Sequence, residues 1–223
     1  MSRTNGKWGV IFDMDGVLID NSWAHRQAWF DLAEEAGLEM SEAFFNDTFG
    51  LPNAAILPML SPDISFEELE RLSEWKEQRY RELVATRVEL AGGAQTLLHG
   101  LKASGFRMAI GSSAPKENLD VFWDRLDLAR YFDARITREQ VTEGKPSPET
   151  FLRAAEQLAL APQNCVVVED ALHGIEAAHA AGMPVVAVTS TRRRDELSQA
   201  NRVVDSLTEL TAKDFAELLN AEN

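Results

Sequence analysis

A chain of 223 residues is long enough to bury a sizeable core and to divide into two unequal parts. With 45% hydrophobic and 26% charged residues, no apolar run long enough to cross a bilayer and no basic or apolar leader at its start, it reads as a cytoplasmic protein without a membrane partner. The net charge of −14, from 36 acids against 22 bases, repels nucleic acid and anionic lipid, so any anionic substrate must meet a locally positive site.

The first element is a strand at WGVIFD, a short continuous apolar run with β-branched and aromatic residues, and it leads directly into Asp13 and Asp15. The next is a helix over SWAHRQAWFDLAEEAG, where Trp29, Leu32, Ala33 and Ala36 recur at helical spacing. Asn21 or Ser22 can cap its start and Gly37 can end it. After shorter helical pieces comes SFEELERLSEWKEQRYRELV, with Ser65 and Glu68 in capping-box spacing and Phe66, Leu69, Leu72, Tyr80 and Leu83 on one apolar stripe.

From about Leu90 the pattern changes to αβ alternation. A helix over Ala94 to Ala103 precedes the strand FRMAIG, and a helix near Glu117 to Leu126 precedes a short strand near Ala134. A helix from Pro148 to Leu160 then leads into CVVVED, and a helix from Ala171 to Ala181 into MPVVAV. Such alternation predicts an α/β fold: a Rossmann-like parallel sheet covered by helices on both faces, from residues 1–20 and 89–223, with an all-helical unit inserted at 21–88. Cys165, the single cysteine, permits no intramolecular disulfide and reads as a packed thiol. Arg192 to Arg194 read as a solvated turn.

Ligands of open parallel sheets lie beyond the carboxyl ends of the strands, where this chain carries Asp13 and Asp15, Ser112 and Ser113, and Glu169 and Asp170. Lys145, in GKPSP, precedes a helix. If these edges converge, they form a cluster able to hold a divalent cation and a phosphoryl group together. Extended residues two apart project to one side, so Asp13 and Asp15 share a face provided the strand persists through Met14. One carboxylate can then attack phosphorus while its neighbour serves as acid and base. Acids so close repel unless a cation or proton offsets them, and Mg²⁺ suits hard oxygen donors. Taken singly, each feature has a plainer reading: an acid pair at a helix N-terminus for Glu169 and Asp170, a cap for Ser112, a loop lysine for Lys145.

The run of DMDGVLID, GSSA, GKPSPETF and VVVEDALHGIEAAHAAGM, in that order, resembles the haloacid dehalogenase superfamily of phosphotransferases, and within it the β-phosphoglucomutase-like branch of sugar-phosphate phosphatases and mutases. The resemblance spans nearly the whole chain and implies a four-helix cap at the inserted segment. It makes Asp13 the nucleophile, Asp15 the acid and base, and Ser112, Ser113 and Lys145 the groups that grip the phosphoryl oxygens. Asp13, the carbonyl of Asp15, Asp170 and Glu169, the last directly or through water, would hold Mg²⁺.

In the cap, Lys76 falls on the apolar stripe, seven residues after Leu69 and four before Tyr80. It either packs its stem and snorkels to water or, as the resemblance implies, reaches substrate. His25 matches a histidine of related caps, its alternative being a satisfied polar residue on the helix. Trp23 either stacks on a sugar or simply packs. Asn53, in GLPN, stands where mutases of this branch carry an arginine for a second phosphate, and Asn21 where they carry a threonine. The expectation is therefore a Mg²⁺-dependent phosphatase acting on small phosphorylated metabolites, with phosphomutase second and a sugar-phosphate-binding regulatory protein third.

Overall fold

A computed structural model describes residues 6–221. In chain order its elements are β1 (Gly9–Phe12), α1 (Ser22–Ala36), α2 (Glu42–Thr48), α3 (Asn53–Leu60), α4 (Phe66–Val84), α5 (Ala94–Ala103), β2 (Arg107–Gly111) and α6 (Lys116–Arg125), then β3 (Ala134–Ile136), α7 (Glu149–Gln157), β4 (Cys165–Glu169), α8 (Leu172–Ala180), β5 (Val185–Val188), β6 (Arg202–Val204) and α9 (Ala212–Ala221). The chain separates into two compact units, one holding the residues up to Asp20 together with those from Glu89 onward, the other Asn21–Val88.

The larger unit is α/β. Its six strands lie in the order β3-β2-β1-β4-β5-β6, and every neighbouring pair is parallel. Strands buried on both faces read as unbroken apolar runs, and Val10 to Phe12, Val166 to Val168 and Val185 to Ala187 are fully buried. Phe151 from α7 and Ile175, Ala177 and Ala178 from α8 pack with Ile11, Ala109 and Val167 in one core cluster. Cys165 belongs to the same cluster, and burial pushes its thiol up to about 12, as a packed rather than reactive thiol requires. The strand order reverses direction beside β1, where the chain has gone outward to β2 and β3 and returns to add β4. Such a switch point opens a crevice at the carboxyl ends of β1 and β4, and Asp13, Glu169 and Asp170 stand at those ends.

The edge strand β6 and the helix α9 have no counterpart in the sequence reading. RVV is only three residues long and flanked by polar segments, so its period is too short to register, and its pairing with β5 is a tertiary event.

The 21–88 unit is helical, with Trp29, Leu32, Phe45, Ile56, Leu57 and Leu72 in its own core. Gly37 ends α1 in the left-handed conformation expected of it, at φ 65°, and the Ser65 hydroxyl accepts from the Glu68 amide at the start of α4. Two expectations fail. Asn21 makes no side-chain capping bond to α1, its amide donating instead to the Tyr80 hydroxyl. Phe66, placed on the buried stripe by spacing, is 80% exposed, because it is the first residue of α4 and its side chain precedes the turns that pack.

Candidate active site

The site starts where β1 ends. The Asp13 amide still donates to the Val168 carbonyl at 2.9 Å, but the strand does not persist through Met14. The Met14 carbonyl accepts from the amides of Val17, Leu18 and Ile19, and Gly16 adopts φ +77°, so the chain turns sharply and Asp15 lies inside the turn, bridged to Ile19. The two aspartates are neighbours through this turn rather than through strand alternation. Asp15 is near enough for its charge to bear on Asp13.

Carboxylate oxygens of Asp13, Glu169 and Asp170, all buried, lie within 4.8 Å of one another. The Lys145 ammonium joins two of them, donating to Asp13 Oδ1 at 2.5 Å and to Glu169 Oε1 at 2.6 Å. The other Glu169 oxygen accepts from the amides of Asp170 and Ala171 at 2.9 and 3.0 Å, at the entry to α8. Glu169 thus satisfies the plainer reading, an acid at a helix N-terminus, and also the one that places it in a charged cluster. Asp170 Oδ2 is 2.6 Å from Thr191 Oγ1.

Two glycines make room for these carboxyls. A β-carbon on Gly16 would stand 2.1 Å from Asp170 Oδ2, and one on Gly174 would stand 1.9 Å from Glu169 Oε1.

The electrostatics follow from three buried acids facing one ammonium. Burial, reinforced by the charges of Glu169 and Asp15, pushes Asp13 up to about 8 although Lys145 pulls it down. Burial, then Glu169 and Asp13, likewise hold Asp170 well above the carboxylate range. Burial works against the charge of Lys145, but Asp13 and Glu169 outweigh it and hold the ammonium above the usual lysine value. The cluster therefore lacks positive charge. Its all-oxygen donors and this deficit fit a hard divalent cation, with Asp13, Asp170 and Glu169 available to hold it.

Ser112 is buried one residue beyond β2, its amide bonded to the Ile136 carbonyl and its hydroxyl accepting from the Ala114 amide at 3.0 Å. Ser113 beside it is exposed. Neither hydroxyl is bonded to the acid cluster, so the structure joins Asp13, Lys145, Glu169 and Asp170 directly and leaves the serines at the adjacent strand end.

Within the helical unit, Lys76 is only 3% exposed, so its ammonium does not snorkel to water. It donates to Glu77 Oε1 at 2.8 Å, lies 3.0 Å from His25 Nδ1, and sits 5.5 Å from the ring centres of Trp29 and Tyr80. The His25 ring stacks on Tyr80 at 4.0 Å, and the Asn53 amide donates to Glu77 Oε1 at 2.8 Å. Trp23 is half-buried. Sequence reasoning missed Glu77, Thr191 and Gly174. Glu77 adjoins Lys76 in a run of helix charges, and Thr191 lies 21 residues from Asp170, so neither had a local signal. Gly174 was visible only as a glycine inside a helical pattern.

A family model described as haloacid dehalogenase-like hydrolase matches residues 10–188. A chloroplastic 5-amino-6-(5-phospho-D-ribitylamino)uracil phosphatase of Arabidopsis thaliana is 33% identical over 220 residues, 97% of this chain and 59% of its own, so the chain spans somewhat over half of that relative. A phosphorylated carbohydrates phosphatase of Thermotoga maritima is 32% identical over 175 residues, covering 78% of this chain and 81% of that protein. Among solved structures, a β-phosphoglucomutase from Clostridium difficile superposes with a TM-score of 0.86 at 30% identity, covering 96% of this chain and 97% of its own. Among the described residues no helix is long and apolar enough to cross a membrane.

Proposed function

This chain belongs to the haloacid dehalogenase-like hydrolases, and from that premise we propose that it is a Mg²⁺-dependent phosphatase that hydrolyses small phosphorylated metabolites, sugar or polyol phosphates, through an aspartyl phosphate. One observation carries the reading: Lys145 and Asp13, 132 residues apart in the chain, meet beside Glu169 and Asp170 at the switch point of the sheet. The choice of sugar and polyol esters follows the substrates named for the two phosphatase relatives.

In this mechanism an Asp13 carboxylate oxygen forms the new bond to phosphorus as the bond from phosphorus to the substrate oxygen breaks, and Asp15 gives its proton to that departing oxygen. Asp15 then takes a proton from water, which attacks the aspartyl phosphate. Inorganic phosphate leaves and the Asp13 carboxylate is restored. Lys145 offsets charge on the phosphoryl oxygens, which Ser112 and Ser113 help to hold. Asp13, the Asp15 carbonyl, Asp170 and Glu169 would hold Mg²⁺, which when bound supplies the positive charge that lets a carboxylate approach a phosphate. Asp13 must be ionised to attack, and in the buried cluster it keeps its proton up to about pH 8 unless further positive charge is present.

Substrate choice is assigned to the helical unit, with His25, Lys76, Asn21, Trp23 and Asn53 as the residues that read the ester. Lys76 is already bonded to Glu77, and position 53 offers an amide rather than a cation, so this unit provides weak support for a second phosphate. That favours hydrolysis over phosphomutase activity. A cytoplasmic setting accords with the lone buried thiol.

The test is phosphate release from a panel of sugar, polyol, nucleotide and glycolytic phosphates with Mg²⁺. Release from sugar or polyol esters, abolished by Asp13→Asn and by chelator, is expected. Persistence of release in Asp13→Asn would refute the covalent mechanism, and preference for nucleotides would refute the substrate class. Isomerisation of a hexose 1-phosphate primed by a hexose bisphosphate, without stoichiometric phosphate, would identify a mutase.

A further inference from the structure

Thr191 lies three residues past the end of β5, in the segment that leads to the arginine turn, and its hydroxyl is directed at Asp170. Oγ1 is 2.6 Å from Asp170 Oδ2 and 3.1 Å from the Asp170 carbonyl oxygen. A hydroxyl has one proton to donate, and the shorter approach gives it to Oδ2 when the carboxyl is ionised. The same oxygen faces the bare backbone of Gly16, where a β-carbon would stand 2.1 Å from Oδ2 and 3.0 Å from Thr191 Cγ2. Oδ2 is thereby enclosed between a hydroxyl and a glycine. Among the described residues no hydrogen bond is made to Oδ1.

The last torsion of an aspartate is broad, so a carboxylate without such contacts samples many orientations and can offer either oxygen, or both, to a cation. Here one orientation is selected before any cation arrives.

We propose that Thr191 is a positioning residue for cation binding: its hydroxyl engages Oδ2 and so holds the Asp170 carboxylate in a single pose for Mg²⁺. This rests on the role in metal binding proposed above for Asp170. Side chains that orient a metal-ligating group typically contribute about 10- to 100-fold in metal affinity, because they remove the freedom the ligand otherwise loses on binding.

The experiment titrates Mg²⁺ into the full-length protein by isothermal calorimetry without substrate, alongside the rise in Tm that saturating Mg²⁺ produces. Thr191→Val removes the hydroxyl and keeps the branched shape, and Thr191→Ser keeps the hydroxyl and removes the methyl. Thr191→Val is expected to weaken Mg²⁺ binding by about 10-fold and to reduce the Mg²⁺-induced rise in Tm, while Thr191→Ser stays close to the unsubstituted protein. Unchanged affinity in Thr191→Val overturns the proposal. So does equal weakening in the two variants, which would assign the effect to packing of the methyl. Should Thr191→Val not fold, Thr191→Ala is compared with Thr191→Ser by the same two outcomes. If the unsubstituted protein itself takes up no Mg²⁺, the metal assignment fails and Thr191 loses its role with it, a result distinct from a cation that binds indifferently to the hydroxyl.

Discussion

Gly174 faces the Glu169 carboxyl so closely that a β-carbon there would lie 1.9 Å from Oε1 and 1.9 Å from the carboxyl carbon. Glu169 cannot retreat cheaply, because Oε2 is tied to the Asp170 and Ala171 amides and Oε1 to Lys145. In an open helix, replacing glycine with alanine would stabilise by roughly 1 kcal/mol. At position 174 the clash costs about 1–3 kcal/mol and unseats a buried, bonded carboxylate as well, so it outweighs the helix gain. Gly174→Ala is therefore expected to lower stability by about 2 kcal/mol in urea unfolding and to reduce phosphate release sharply. A variant at least as stable as the parent would mean that Glu169 is not held where it stands.

Lys145 is the only cation joined to the acid cluster among the described residues, and its loss leaves Asp13 and Glu169 buried without it. Breaking a buried pair typically costs about 3–5 kcal/mol, less where the stranded acid can take a proton. Lys145→Met should therefore destabilise more at pH 8 than at pH 5, where Asp13 keeps its proton and is not stranded as a charge. Turnover should fall by at least about 100-fold, the scale of losing one group that stabilises developing charge. Parallel unfolding curves at the two pH values and kcat on one ester measure both effects, and an equal loss of stability at both pH values would contradict the assignment.

Without divalent cations, stability should fall as pH rises from about 4 to about 8. Asp13 ionises near 3.8 when unfolded but holds its proton to about 8 when folded. Across that window the folded state binds more protons, so raising pH favours unfolding, and Asp170 acts in the same direction. Lys145 is charged in both states over this range and leaves the slope unchanged. The slope is on the order of 1 kcal/mol per pH unit for each such group. Tm measured in chelator should drop across the window, and the Tm gained on adding Mg²⁺ should grow with pH. A chelated protein that becomes more stable between pH 5 and 8 would contradict the charge deficit in the cluster.

In the helical unit the buried Lys76–Glu77 pair should behave as a unit. Glu77→Leu alone, leaving a buried ammonium without its carboxylate, is expected to cost about 3 kcal/mol. Lys76→Met with Glu77→Leu should cost less than the sum of the two single changes, since no charge is then stranded. Additive losses in the cycle would show that the two charges are not coupled.

Most strands and helices of this fold are readable from one chain, because an element buried on both faces or along one stripe writes its period into adjacent residues. GVIF, CVVV and VVAV announced the sheet, and the pattern of helices around them announced its parallel order. The motif residues, too, stood out as polar groups at the ends of apolar runs. Other properties have no local trace. Phe66 obeys the helical period and is exposed, Lys76 interrupts it and is buried, and RVV becomes a strand only because β5 is there to pair with it.

The same distinction runs through the site. Asp13, Lys145, Glu169 and Asp170 were nameable as candidates, but their shared charge deficit arises from burial and from distances under 5 Å that connect segments more than a hundred residues apart. The turn after Phe12, the clearance supplied by Gly16 and Gly174, and the contact from Thr191 likewise belong to packing in three dimensions. Residue type and spacing encode what a segment prefers. Desolvation and long-range electrostatics act only once distant segments are brought into contact, and they set what these side chains can do.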